Sequence, residues 1–259
     1  MGAQGSSLRP LSFVRQLLRY SRAIAMKTGP DRLISSYGRR RGRPLRAARV
    51  ALLDDVLPRL AIPAPPSGTV LEPRSLFAVA PRAVWLEVGF GAGEHLAAQA
   101  EAHPDIGLVG AEPYINGIAG LLARVQKAGL ANIRLWPDDI RLLLPALPAA
   151  SIGRVFVLFP DPWPKIRHHK RRLIAPAFLD ELARIMAPEA ELRFATDDPG
   201  YLEWTLERLA GHSAFTALTT RPPEWAVRPA DWPATRYEAK GLAGHPPAFL
   251  RFRRRAECP

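Results

Sequence analysis

The stretch LFPDPWPKIRHHKRR, residues 158–172, sets one carboxylate, Asp161, and one indole, Trp163, between prolines at 160, 162 and 164. Lys165, Arg167, His168, His169, Lys170, Arg171 and Arg172 follow at once. Proline fixes φ and stiffens the turn, so the acid and the ring are presented on a rigid elbow. A ring that can stack on a base, beside cations that can meet phosphates, suits a flat polyanionic substrate. Upstream, LEVGFGAGEHL carries Glu87, Gly89, Gly91 and Gly93. Glycines at such a turn let the backbone approach a ligand closely between a strand and a helix. A dinucleotide fingerprint needs glycine at position 94, where this chain has Glu94, and a carboxylate is a poor neighbour for a pyrophosphate. Glu87 on the strand suits a cationic or amino-bearing ligand instead.

Two further acids complete the pattern. Glu112 follows a second apolar run, 25 positions beyond Glu87, where a carboxylate can accept both hydroxyls of a ribose. Asp139 follows a third run and can accept from an adenine amino group, though it fits a helix cap equally well. S-adenosylmethionine matches this set of acceptors, having a ribose, an adenine, an ammonium and a sulfonium but no phosphate.

The elements that must position these residues alternate. The apolar runs AVWLEVG, IGLVGAE, NIRLW, RVFVLF and ELRFATD read as strands. Between and after them, GEHLAAQAEAH, NGIAGLLARVQKAG, DIRLLLPAL, PAFLDELARIM and YLEWTLERLAGH have helical spacing, and Gly129 is placed to cap the second. Continuous apolar strands alternating with helices predict an α/β fold: a doubly wound, mostly parallel sheet covered on both faces. Three strands, each delivering an acid to one edge in order, point to the Rossmann-like fold of class I methyltransferases.

Composition narrows the partners. The net charge of +12 favours nucleic acid, and the single cysteine, Cys258, excludes an internal disulfide framework or a cysteine metal site. No apolar run approaches the length of a membrane span. The cations cluster at Arg39–Arg49, at Lys165–Arg172 and at Arg251–Arg255, and the first two are expected to meet phosphates. His168 and His169 are expected to face phosphate or solvent, since no third metal ligand accompanies them. Residues 1–34 form an extension, 35–82 a basic segment and connector, and 83–255 the catalytic domain. An Arg-rich stretch at Leu11–Ile24 also fits a transit peptide, MGAQGS loosely fits a myristoylation pattern, and Met26 offers an alternative start.

FPDPWPKIRHHKRR resembles the signature of the tRNA (guanine-N7-)-methyltransferases, bacterial type. LEVGFGAGEHL, GAEPYINGI, NIRLWPDD, LRFATDD and TRYEAKGLAGHPPAFLRF follow the same family in order, and SYGRRRGRPL resembles its N-terminal basic segment. The likeness spans roughly residues 35–253 in one register. Two departures stand out: Arg236 where lysine is expected, and Tyr237 where phenylalanine is expected. Both keep the charge or the ring.

The resemblance implies methyl transfer from S-adenosylmethionine to guanine N7 in tRNA, in the variable loop, by a cytoplasmic enzyme without metal or membrane. Glu87, Gly89, Gly91, Gly93, Glu112, Asp139 and Asp161 are implied as cofactor contacts, with Asp161 at the methyl-transfer centre. Lys165, Asp197, Thr235, Arg236, Tyr237 and Glu238 are implied as substrate contacts. Asp198, next to Asp197, could instead cap a helix starting near Pro199. The alternatives are a class I methyltransferase acting on another RNA or protein nitrogen, and a catalytically silent RNA-binding relative. Monomer and homodimer both remain open.

Overall fold

The computed structural model describes residues 37–234, 238 and 244–256. Cys258, the whole 1–34 extension, and Thr235, Arg236 and Tyr237 lie outside the described residues.

Two helices, α1 (Ala47–Asp55) and α2 (Leu57–Leu60), precede the sheet. Then come β1 (Ala83–Val88), α3 (Glu94–Ala102), β2 (Ile106–Ala111), α4 (Ile115–Ala128), β3 (Ile133–Trp136) and β4 (Ile152–Leu158). The chain continues through α5 (Pro176–Ile185), β5 (Met186–Thr196), α6 (Pro199–Ala210), β6 (Phe215–Ala217), α7 (Pro222–Trp225) and β7 (Ala248–Arg254). The stretch expected as a short helix from Asp139 is instead two 3-10 turns, Ile140–Leu142 and Leu144–Ala146. Pro145, within the first positions of the second turn, denies the N–H that one continuous helix would need.

The seven strands run in the order β3-β2-β1-β4-β5-β7-β6. Strands β1 to β5 are parallel, and β7 enters antiparallel between β5 and β6. This is the expected doubly wound, mostly parallel class I methyltransferase sheet, in which β6 and β7 add to the five strands read from the sequence. Each face of the sheet is covered by its own apolar cluster. One contains Val84, Leu86, Val155, Val157, Leu179 and Leu182. The other contains Leu96, Leu108, Ile118, Leu122, Leu135 and Phe156. Leu53 and Leu57 of the two leading helices join the second cluster, so the segment before the first strand contributes to the core.

The strand order reverses between β1 and β4, and ligands bind at that crevice at the strands' carboxyl ends. The βα turns converge there. Gly89, Gly91 and Gly93 all have positive φ, at 74°, 55° and 72°. Gly93 has a second requirement, because a Cβ there would lie 2.6 Å from the Leu121 side chain of α4.

The register of β7 gives the third cationic cluster its place. Arg253 pairs with Glu191 and Ala248 with Thr196, so the arginine end of β7 lies at the opposite edge from the crevice. There Arg251 pairs with Glu191, and Arg253 lies 3.4 Å from Glu189. These arginines are part of the sheet's own ionic structure.

Candidate active site

A cavity of about 510 Å3 opens at the carboxyl ends of the parallel strands. Its walls come from the glycine turn (Gly89, Gly91), the end of β2 (Glu112 to Tyr114), the turn after β3 (Asp138 to Arg141) and the elbow after β4 (Phe159 to Asp161, Trp163). The basic segment closes one side with Tyr37, Gly38 and Arg39.

Glu112 is buried, and it accepts from the backbone N–H of Gly91 and of Tyr114, each at 2.8 Å. Burial pushes its carboxyl up to about 7 against the pull of those two N–H donors, and the nearby Asp161 and Glu87 charges add to the rise. An unfolded glutamate ionises near 4.5. Between about 4.5 and 7 the folded chain therefore binds the extra proton. The contribution of Glu112 to stability thus falls as pH rises through that window and is level above it.

Asp161 stands at the rim, open to solvent on one side. Dense protein on its other side raises its carboxyl above the usual range. The elbow that carries it is strained: Phe159 and Trp163, neither of them glycine, have φ of 49° and 45°. Such residues persist where surrounding contacts over-determine them. Those contacts are present. Phe159 N–H donates to Ala195 O at 2.8 Å. Buried Arg172 donates to Pro162 O at 2.8 Å and Gly200 O at 3.1 Å, while lying against Tyr201 and Trp204. Arg172 is a brace for the turn, not a phosphate contact.

Asp139 lines the cavity, but its carboxylate already receives Arg141 at 2.6 Å and caps the following 3-10 turn. Of the two roles open to it in the sequence, the structure shows the cap and places the residue in the cavity wall. Its neighbour Asp138, to which the motif spacing assigns no role, is buried and pairs with Arg40. That pair, Ile115 N–H donating to Arg40 O at 3.1 Å, and Gly42 N–H donating to Asn116 Oδ1 at 2.8 Å lay the basic segment across the start of α4. Gly42 passes so close to Tyr114 that a Cβ would overlap its hydroxyl. Arg40 and Arg49, the latter donating to Ala119 O at 2.6 Å, are anchors of this segment, while Arg39, Arg41, Arg43 and Arg46 are exposed.

Other expected residues sit outside the cavity wall. Glu87 is buried and receives His95 Nδ1 at 2.7 Å, and Gly93 caps α3. Glu94 opens α3 and pairs with Arg124 at 2.9 Å. Lys165 is exposed, one position before the 3-10 helix Ile166–Arg171. Asp197 follows β5, and Asp198 beside it accepts from Tyr201 N–H at 2.7 Å, so the helix cap is Asp198. Glu238 pairs with Arg228. His168 and Trp163, and His169 and Trp204, form T-shaped pairs with ring centroids 5.9 and 5.4 Å apart. Among the described residues no group of three or more His, Cys, Asp or Glu is placed to hold a metal ion. No helix among them is long and apolar enough to cross a membrane.

A family model described as "Putative methyltransferase" matches residues 81–249. The tRNA (guanine-N(7)-)-methyltransferase of Rhodospirillum rubrum is 54% identical over 222 residues, covering 85% of this chain and 87% of that protein. That of Paramagnetospirillum magneticum is 54% identical over 221 residues, covering 85% and 92%. Among solved structures, the 16S rRNA methyltransferase KamB is similar at 20% identity and a TM-score of 0.48, over 70% of this chain and 90% of that one.

Proposed function

The chain belongs to the tRNA (guanine-N(7)-)-methyltransferase family, and we propose that its cavity binds S-adenosylmethionine beside a guanine presented on the elbow. It is a methyltransferase that converts a guanine of tRNA to 7-methylguanosine; the variable loop is the target we assign, and the cytoplasm the compartment. The observation that carries this reading is the sharing of one cavity by Asp161, Glu112, Gly89 and Gly91.

The residues present fit the cofactor. Glu112 offers a buried acceptor for two ribose hydroxyls, Gly89 and Gly91 leave the backbone open to close approach, and Asp139 in the same wall is assigned to the adenine amino group. Bound S-adenosylmethionine would supply the methyl group. Guanine N7 already carries a lone pair and has no proton to lose, so no strong general base is needed. Alignment of N7 with the methyl carbon is the chief requirement, and the braced elbow serves it. Positive charge arrives on the imidazole ring as the bond forms, and Asp161 stabilises it there. The same carboxylate can accept from guanine N1–H and the N2 amino group. Lys165, Asp197 and the segment Thr235 to Glu238 are assigned to the tRNA around the base.

Incubating tRNA that lacks the modification with labelled S-adenosylmethionine, then digesting to nucleosides, is expected to place the label in 7-methylguanosine. Label in another nucleoside would refute the assignment of N7.

Two further outcomes follow from the side chains. Ionised Glu112 accepts ribose hydroxyls better than the protonated form, so ligand affinity should rise as pH climbs through about 7. Adenosine, which does not titrate there, is the clean probe, and Glu112→Gln should flatten the profile. A slope that persists in Glu112→Gln would assign it to another group.

Exposed Arg41 and Arg43 should release counterions on meeting tRNA. Replacing both with Ala should flatten the plot of log affinity against log salt by roughly one unit for each phosphate left without its arginine. Arg40→Ala should leave that slope alone, because Asp138 already neutralises its guanidinium, and should lower turnover by loosening the segment. A salt titration of each variant separates these roles.

A further inference from the structure

Three side chains at the cavity mouth come from two distant parts of the chain: Tyr37 from the basic segment, and Trp163 and Arg171 from the elbow. Tyr37 and Trp163 stand edge to face, with ring centroids 6.3 Å apart and planes at 73°. The Arg171 guanidinium lies 4.7 Å from the Tyr37 centroid and 4.8 Å from that of Trp163. Its Nε is buried without a hydrogen-bond partner. Both rings and Arg171 line the same cavity as Asp161. Tyr37 is 40% exposed, so an incoming flat group can reach its ring.

A half-buried arginine whose Nε has no partner, yet which rests over two rings, marks a place whose attraction is for a delocalised cation. We propose that Tyr37 and Trp163 form a slot that Arg171 fills in the free protein and that the target guanine enters during the reaction, selecting for the charge the base acquires. The idea rests on the assigned chemistry. In that chemistry the N7 lone pair forms the new N–CH3 bond and the S–CH3 bond breaks. The bonding pair stays on sulfur, which becomes a neutral thioether, and no proton moves. The positive charge thereby passes to the purine ring, which becomes a planar delocalised cation like a guanidinium. Ring faces attract such a cation more than the neutral base, so the slot favours the transition state over the ground state. The displaced Arg171 then joins Arg167 and Lys170 on the phosphate side of the elbow.

Tyr37 is the residue to test, because it is exposed, lies in no helix or strand, and can be changed with little effect on folding. Titration with 7-methylguanosine 5′-monophosphate and with guanosine 5′-monophosphate, at equal pH and salt, reads charge selection without turnover. The natural chain should prefer the methylated nucleotide by about fivefold or more, and Tyr37→Leu should lose most of that preference. In single turnover at saturating tRNA, Tyr37→Leu should slow transfer about tenfold, and Tyr37→Phe, which keeps the ring face, should recover most of the loss. Equal affinity of the natural chain for the two nucleotides, or a Tyr37→Leu variant with unchanged preference and rate, would overturn the slot. Failure of the natural chain to form 7-methylguanosine in tRNA at all would instead overturn the function on which it rests.

Discussion

Asp161→Ala is expected to lower the single-turnover rate of methyl transfer by about 10²–10³-fold, the range seen when one preorganised electrostatic group is removed from an active site. Cofactor affinity should stay within about tenfold, because Glu112 and the glycine turn remain. The elbow should keep its shape as well. It is held by Arg172 on Pro162 and Gly200 and by Phe159 on Ala195, and none of these bonds uses the Asp161 carboxylate. Asp161→Asn keeps the size and one acceptor but loses the charge, so it should fall between the two. Normal turnover of tRNA by Asp161→Ala would remove this residue from the mechanism.

The second large effect is expected at Glu112. Glu112→Ala deletes the acceptor for two ribose hydroxyls, at about 1.5–3 kcal/mol for each charged hydrogen bond. It also strips the Gly91 and Tyr114 N–H groups of their partner, which loosens the turn that the ligand must meet. Calorimetry should therefore show the dissociation constant for S-adenosylhomocysteine rising by well over tenfold. Glu112→Gln, which keeps one carbonyl for those N–H groups, should lose less. Unchanged affinity in Glu112→Ala would make this acid purely structural.

The parts of this site legible in the sequence are those set by one strand and the turn after it. Each apolar run ends on a glycine, an acid or a proline, so Gly89, Gly91, Glu112, Asp139 and Asp161 can be assigned to one sheet edge from the chain alone. What escapes depends on pairing at a distance. Strand β7 alternates large apolar side chains with arginines, and only its pairing with β5 and β6 gives that pattern a place. In the sequence its arginines form a cationic cluster without an assigned role, and the register ties them to Glu191 and Glu189. Glu87 is visible as an acid, but the buried His95 that engages it comes from the next helix, and nothing in the spacing announces the contact. Asp138 and Arg40 are 98 positions apart, and so the fixing of the basic segment over the cavity is hidden too. Gly42 is the one available signal, a glycine within an arginine run, where the chain must pass close to Tyr114.

The nucleophile assigned to this enzyme is the N7 lone pair of a guanine, positioned but not deprotonated. This assignment is tested most directly with two transcripts of one tRNA, one made with guanosine and one with 7-deazaguanosine, in which a C–H replaces N7. With labelled S-adenosylmethionine, the first should be methylated and the second not, although both should compete for binding. Methyl transfer to the 7-deaza transcript at a comparable rate would contradict it.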